Sequence, residues 1–251
     1  MLRSEIDANA FENAKEKIVG KFHNDKGIGT LKEKSIHGIL KYYYEPNDDY
    51  HEVALDGYFA DIYVPDEGII EIQTRQFNKL RGKLEAFLEN YDVTVVYPMP
   101  YNKWVVWIDP TTGEEGKPHK APKCWTPYEV FVELYRIKMF LNNPRLHFRI
   151  AMMDMVEYKI LDGWNYSKKR GATKIDRIPK QLVKEVSVDR KEDYMQFVPF
   201  DLGNEFSVAD FAKAAKISKS LAGMVLNILY SVGTVERTGK KGNAYIYSVN
   251  D

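Results

Sequence analysis

Apolar side chains recur first at helical spacing along this chain and then at alternate positions. Ile6, Ala10, Phe11, Ala14 and Ile18 fall near a 3.6-residue period and predict an amphipathic helix over residues 1–26. Asp25-Lys26-Gly27-Ile28-Gly29 interrupts it. Thr30 with Glu33 has the capping-box spacing, and the helix that it opens should stop near Tyr44, before Pro46. Three strand-like segments follow, His51 to Leu55, Tyr58 to Val64 and Ile69 to Thr74. Phe77, Leu80, Leu84, Phe87, Leu88 and Tyr91 then line one helix face, and Val93 to Tyr97 reads as a buried strand. Helix, three strands, helix, strand predicts an α/β fold, a sheet flanked by helices.

The pattern loosens over residues 101–125, around a short strand at Lys103 to Ile108. Thr126-Pro127-Tyr128-Glu129 is a second capping box with proline at the first helical position, and its helix should end near Asn142. A strand over Leu146 to Leu161 leads to a basic stretch from Gly163 to Arg177, and residues 187–205 read as a linker. Beyond it Ser207 caps a helix with Val208, Phe211 and Ala212. A second helix carries Leu221, Met224, Val225, Ile228 and Leu229 and ends at Gly233. Val235 to Arg237 and Ala244 to Tyr247 make a hairpin about Gly239-Lys240-Lys241-Gly242. Helix, turn, helix and basic hairpin predict a winged-helix domain over 206–251, behind a main domain over 1–186.

Composition narrows the class. The 251 residues are 44% hydrophobic, enough for a full core, and one cysteine, Cys124, excludes an internal disulfide framework. No apolar run reaches membrane-spanning length and Met1 to Ala10 has no apolar signal core, so the expectation is a cytoplasmic protein without a membrane partner. The formal net charge is zero, yet residues 1–100 hold 12 basic and 18 acidic side chains while residues 101–205 hold 18 and 15. An acidic part beside basic ones suits a cation site next to a polyanion-binding surface.

The hairpin from Tyr58 to Thr74 carries the sharpest candidate chemistry. With a turn at Asp66-Glu67-Gly68, Val64 pairs Ile70 and Asp61 lies opposite Gln73. Alternation then places Asp61, Glu71 and Gln73 on one face and Ala60, Ile62, Val64, Ile70 and Ile72 on the other. A five-residue loop keeps that parity and a four-residue loop destroys it. Converging carboxylates repel unless a cation joins them, and hard oxygen donors suit Mg²⁺ or Mn²⁺. The plain alternative is the polar face of an ordinary hairpin.

Gly57-Tyr58-Phe59-Ala60-Asp61 and Ile69-Ile70-Glu71-Ile72-Gln73, followed by a helix and a buried strand, resemble the PD-(D/E)xK nuclease superfamily in its ExQ form. The resemblance covers about residues 30–98. It implies a restriction-endonuclease-like mixed sheet and hydrolysis of DNA phosphodiester bonds with one or two Mg²⁺ or Mn²⁺ ions. Asp61 and Glu71 would bind the metal and Gln73 would orient the attacking water. Glu33 matches the glutamate often found on the superfamily's first helix, although the capping box already gives it a structural task. His37 and Lys41 follow at spacings of four, and Lys41 is the candidate to replace the absent lysine in space.

DNA is the expected partner. Trp164, Tyr166, Lys168, Lys169, Arg170, Lys174 and Arg177 crowd a basic hairpin over 160–178. Lys219, Ser220, Asn227, Arg237, Lys240 and Lys241 are the candidate contacts of the winged helix, though Leu221 to Tyr230 is poor in base-reading side chains. Besides a nuclease, the pattern allows a catalytically inactive, regulatory DNA binder. It also allows an interaction module that forms a homodimer or joins a larger DNA-processing complex.

Overall fold

A computed structural model describes residues 5–25, 34–164 and 170–250. Its centre is a mixed sheet of seven strands. They are β1 (His51–Leu55), β2 (Tyr58–Val64), β3 (Gly68–Ile72), β4 (Val93–Ile108), β5 (His119–Lys120), β6 (Leu146–Trp164) and β7 (Arg170–Val188). The order is β1-β2-β3-β4-β6-β7, with β5 on the outer part of β4. The β1–β2, β2–β3 and β6–β7 pairs are antiparallel, whereas β4 runs parallel to both β3 and β6. Strand β4 is therefore central, and its valine-rich start, Val93-Thr94-Val95-Val96, is buried on both faces.

Helices cover the two faces. Helix α1 (Ala8–Asp25) packs Phe11 and Ala14 against α2 (Lys34–Tyr44), which turns Ile36, Ile39, Leu40 and Tyr43 onto Ile72, Val96, Ala151, Met153 and Leu182. Phe77 and Leu80, in a 3-10 turn, lead into α3 (Arg81–Phe87), whose Leu84 and Phe87 bury against the other face with Ile69, Val93 and Val95. Thr126 and Glu129 close the expected capping box, but the segment winds as a 3-10 turn, the short α4 (Phe131–Leu134) and a second 3-10 stretch over Tyr135–Phe140.

Residues 187–205, expected as a linker, are largely part of the body. Strand β7 runs on to Val188, and a 3-10 helix over Lys191–Phe197 places Tyr194 and Phe197 in the core. The helix–helix–hairpin order of the C-terminal part is present. It comprises β8 (Phe206–Ser207), α5 (Val208–Ala214), α6 (Lys219–Val232), β9 (Val235–Lys241) and β10 (Ala244–Val249). Ser207 caps α5 and Gly233, at φ 85°, ends α6. Its core is not separate: Phe211, Val225, Leu226 and Leu229 join one apolar cluster with Phe131, Leu134 and Ile137. No helix among the described residues is long and apolar enough to cross a membrane.

Candidate active site

Strands β2 and β3 pair at Val64↔Gly68, Tyr63↔Ile69 and Ile62↔Ile70, and the ladder stops there. The loop is Pro65-Asp66-Glu67, with Asp66 at φ 66° and Gly68 at φ 96°. A Cβ at Gly68 would lie 2.4 Å from the Asp92 carbonyl oxygen, so only glycine fits where β3 passes the start of β4. The register differs by two residues from the expected one. Parity is unchanged, and Asp61 faces Glu71 instead of Gln73.

Past Ile62 the strands diverge, and the two carboxylates close the gap. The Ile72 N–H donates to Asp61 Oδ2 at 2.8 Å, and the Asp61 N–H donates to Glu71 Oε1 at 3.3 Å. Each carboxylate also meets a base from a different helix. His37 Nε2 on α2 lies 3.0 Å from Asp61 Oδ2, and Lys83 Nζ on α3 donates to Glu71 Oε1 and Oε2 at 3.0 and 2.8 Å. Glu71 is 2% exposed.

The environments push the two carboxyls apart. Burial and the neighbouring Asp61 charge raise the Glu71 carboxyl to about 7, against the opposing pull of Lys83. Burial also works against ionised Asp61, but the His37 hydrogen bond and charge, the Ile72 N–H and Lys83 outweigh it and leave that carboxyl below its usual value. Asp61 is thus the committed anion and Glu71 the group poised to exchange a proton near neutrality.

These residues fit a divalent ion in one defined way. Among the described residues no group of three or more His, Cys, Asp or Glu side chains is arranged to hold a metal. The site offers two side-chain carboxylates, the number with which Mg²⁺ is held when water and substrate phosphate complete its shell. The like-charge strain on Glu71 is what such an ion would relieve, and Lys83 would have to release the carboxylate to it.

The remaining predicted residues are placed as follows. Gln73 continues the parallel ladder through its N–H to the Val96 carbonyl at 2.9 Å, while its side-chain amide donates to the Arg75 carbonyl at 2.5 Å. Lys41 is buried and ion-paired with Glu52 on β1, so the lysine at Glu71 is Lys83, not Lys41. Nothing in the strand motif marks Lys83; the only signal is that α3 crosses over β3 and carries Lys83 off its Leu80, Leu84 and Phe87 face. Glu33, Lys168 and Lys169 lie outside the described residues. Arg170 begins β7 opposite Trp164, and Lys174 pairs in register with Lys159.

In the C-terminal part, α6 does not face outward as a groove-reading helix would. It packs on α4; Lys138 donates to Asn227 Oδ1 at 3.0 Å and Asn142 to the Ser231 carbonyl at 3.0 Å. Asn227 is therefore a contact of the body, a correction to its expected role. Arg237 is held among rings, 4.4 Å from the Tyr230 centroid and 4.1 Å from that of Tyr245. Lys240 stands 4.7 Å over the Tyr245 ring, and Lys219, Ser220 and Lys241 are exposed.

The model of a family described as a domain of unknown function (DUF8091) matches residues 34–189. A protein of Treponema pallidum (strain Nichols), described as an uncharacterized protein, is 29% identical over 150 residues, which cover 60% of this chain and 59% of the relative. No solved structure matches the chain. The family match takes in α2 through β7, hence Asp61, Glu71 and Lys83, and leaves out the helix–helix–hairpin part. The chain belongs to the DUF8091 family.

Proposed function

We propose that this DUF8091 protein is a metal-dependent DNA phosphodiester hydrolase of the PD-(D/E)xK kind. The observation that carries the reading is Asp61 facing Glu71 at the divergence of β2 and β3, with Glu71 raised to about 7. The order α2, β1, β2, β3, α3, β4 around that pair, with β3 parallel to β4, matches the element order of the resemblance. Asp61 and Glu71 would hold Mg²⁺ or Mn²⁺, which when bound lowers the pKa of a coordinated water and stabilises charge on phosphate. His37 holds the Asp61 carboxylate in place. The Lys83 ammonium, once released from Glu71, stays beside the site where negative charge develops. Gln73 would orient water only after its amide leaves the Arg75 carbonyl.

The alternative, a nuclease-like DNA binder without turnover, is favoured by one observation: Lys83 occupies both Glu71 oxygens, as an internal cation would in place of a metal. The helix–helix–hairpin part has the order of a winged helix. With α6 packed on α4, its DNA contacts would fall on Lys219 and on the Lys240–Lys241 hairpin and would touch backbone, not bases. Cleavage of linear, nicked, branched and single-stranded DNA in Mg²⁺, Mn²⁺ or EDTA, with Glu71→Ala alongside, tests the reading. Metal-dependent cutting lost in the variant supports the hydrolase; binding without cutting selects the inactive form.

A further inference from the structure

The β2–β3 ladder ends at Ile62↔Ile70, so no backbone pairing sets the distance between Asp61 and Glu71. Side chains have to set it. The glycine beside Lys83 shows one that does. Helix propensity favours almost any residue over glycine inside a helix, yet Gly82 sits in the first turn of α3. A Cβ there would lie 2.5 Å from the Tyr58 hydroxyl oxygen and 3.3 Å from its Cζ, so the tyrosine rests on bare helix backbone. The same ring meets Phe87, further along α3, edge-on with the centroids 6.1 Å apart.

These contacts close a ring through the site. Tyr58 stands three residues before Asp61 on β2, about 10 Å along the strand. The Asp61 N–H donates to Glu71 Oε1, Lys83 Nζ donates to the same oxygen, and Lys83 adjoins Gly82, on which Tyr58 rests.

One side of that ring is fixed and the other is free to yield. Ahead of α3 the Phe77 N–H donates to the buried Glu133 carboxylate at 2.9 Å, and Arg81 Nε donates to the Arg136 carbonyl at 2.8 Å. Leu84 and Phe87 of α3 are fully buried. Tyr58, in contrast, is exposed, lies on the strand next to the edge strand β1, and directly follows the turn at Asp56 and Gly57, which are left-handed at φ 48° and 81°. Pressure between Gly82 and Tyr58 therefore displaces β2, and Asp61 with it, before it displaces Lys83.

We infer that Tyr58 and Gly82 are positioning residues for the carboxylate pair: the tyrosine hydroxyl, seated on the bare backbone of Gly82, holds β2 at the distance from α3 at which Asp61, Glu71 and Lys83 meet. The inference rests on the reading of Asp61 and Glu71 as the reacting groups. Charged groups that act together on one phosphate need placement to about half an ångström, and this contact supplies it where the strand ladder does not.

Amide exchange of the full chain in EDTA tests the inference without metal or DNA. The reporter is the Ile72 amide, which donates to Asp61 Oδ2 at 2.8 Å. The controls are the amides of Ile69, bonded to the Asp92 carbonyl at 2.8 Å, and of Leu88, bonded to the Leu84 carbonyl at 3.1 Å. In Gly82→Ala, Ile72 should exchange at least about tenfold faster while both controls keep their protection. Tyr58→Phe removes the hydroxyl and leaves Cζ at 3.3 Å as the nearest atom, so adding it to Gly82→Ala should return Ile72 to within about threefold of wild type. Tyr58→Ala, which leaves α3 intact, should free the Ile72 amide as well, and it carries the test alone if the glycine variant does not fold. Unchanged Ile72 exchange in either variant, the result of a tyrosine that swings aside without moving the site, overturns the inference. So does a loss shared by the controls, or one that Tyr58→Phe does not restore. If the wild-type chain does not cleave DNA, the hydrolase reading falls while the exchange result still decides the positioning.

Discussion

Lys83 Nζ lies 2.8 Å from Glu71 Oε2, so a helix residue twelve positions downstream neutralises a carboxylate that is 2% exposed. The lysine itself is 24% exposed. On the proposed reading the ammonium and a divalent ion would compete for the same oxygens. Lys83→Met should therefore tighten Mg²⁺ or Mn²⁺ binding while abolishing cleavage, a split that calorimetry and a cleavage assay read together. The variant should also lose about 1–3 kcal/mol of stability at alkaline pH, where the carboxylate is left charged and buried. Unchanged metal affinity would show that the ammonium does not guard the site.

A pH dependence follows from the same carboxyl. The Glu71 carboxyl sits at about 7 in the fold against an ordinary 4.5, so between those values the folded chain holds a proton that the unfolded chain has released. Stability should then decline as pH rises through that window, by up to about 3 kcal/mol, and Glu71→Gln should flatten the decline. Asp61 acts in the opposite sense. Its lowered carboxyl contributes stability above the ordinary value of 3.8, lost only as pH falls through the folded value. Urea unfolding between about pH 5 and about pH 8 separates the two, and a wild-type profile that rises with pH across this range would refute the assignment.

Glu157 shows a carboxyl pushed the other way. It is buried, which opposes its charge, but the hydrogen bonds from Arg177 and Lys159 and the added charge of Lys103 hold it down to about 2. Its contribution is present in full above the ordinary 4.5 and is lost as pH falls from there through about 2. Glu157→Gln leaves three cations without their shared anion and should cost about 1–3 kcal/mol at neutral pH, moderated because Arg177 and Lys159 are partly solvated. Added salt should recover part of the loss by screening the repulsion. Denaturant midpoints at low and high salt check both statements.

Strands β1, β2, β3 and the start of β4, with the caps at Thr126 and Ser207, were legible because each rests on a local rule, whereas the continuous β4 and the far half of β7 were not. Ser207 with Asp210 and Thr126 with Glu129 close capping boxes. The single apolar face expected for β2 and β3 is split: Ala60 and Ile69 join the cluster under α3, while Ile70 and Ile72 pack toward α2. The expected partner of Asp61 was Gln73; the register, off by two, brings Glu71 there instead, a slip that preserves side-chain parity. The error arose at Asp66, which takes the left-handed conformation that glycine was expected to supply, so the loop begins one residue earlier. Lys83 and the Glu157 cluster were not legible. Each depends on strand order and crossover, and residues 54 positions apart, as Lys103 and Glu157 are, share no local pattern. The supposed linker misled for the same reason: Tyr194 and Phe197 sit in a polar stretch, and only the assembled core shows where they go.

That shared core yields the last prediction. Leu226 and Leu229 of α6 are fully buried in one cluster with Phe131 and Leu134 of α4, although the sequence presents the two parts as separate domains. Removing buried methyl groups at such a joint costs both their transfer free energy and a cavity, about 2–5 kcal/mol for leucine to alanine. If the two parts unfold as one unit, Leu226→Ala should lower a single calorimetric transition and weaken amide-exchange protection in β4 along with that in α6. Two resolved transitions, with β4 protection intact in the variant, would mean that α6 docks on a body already stable without it. Helix α6 would then be free to leave α4 and present its buried face, including Asn227, to another partner.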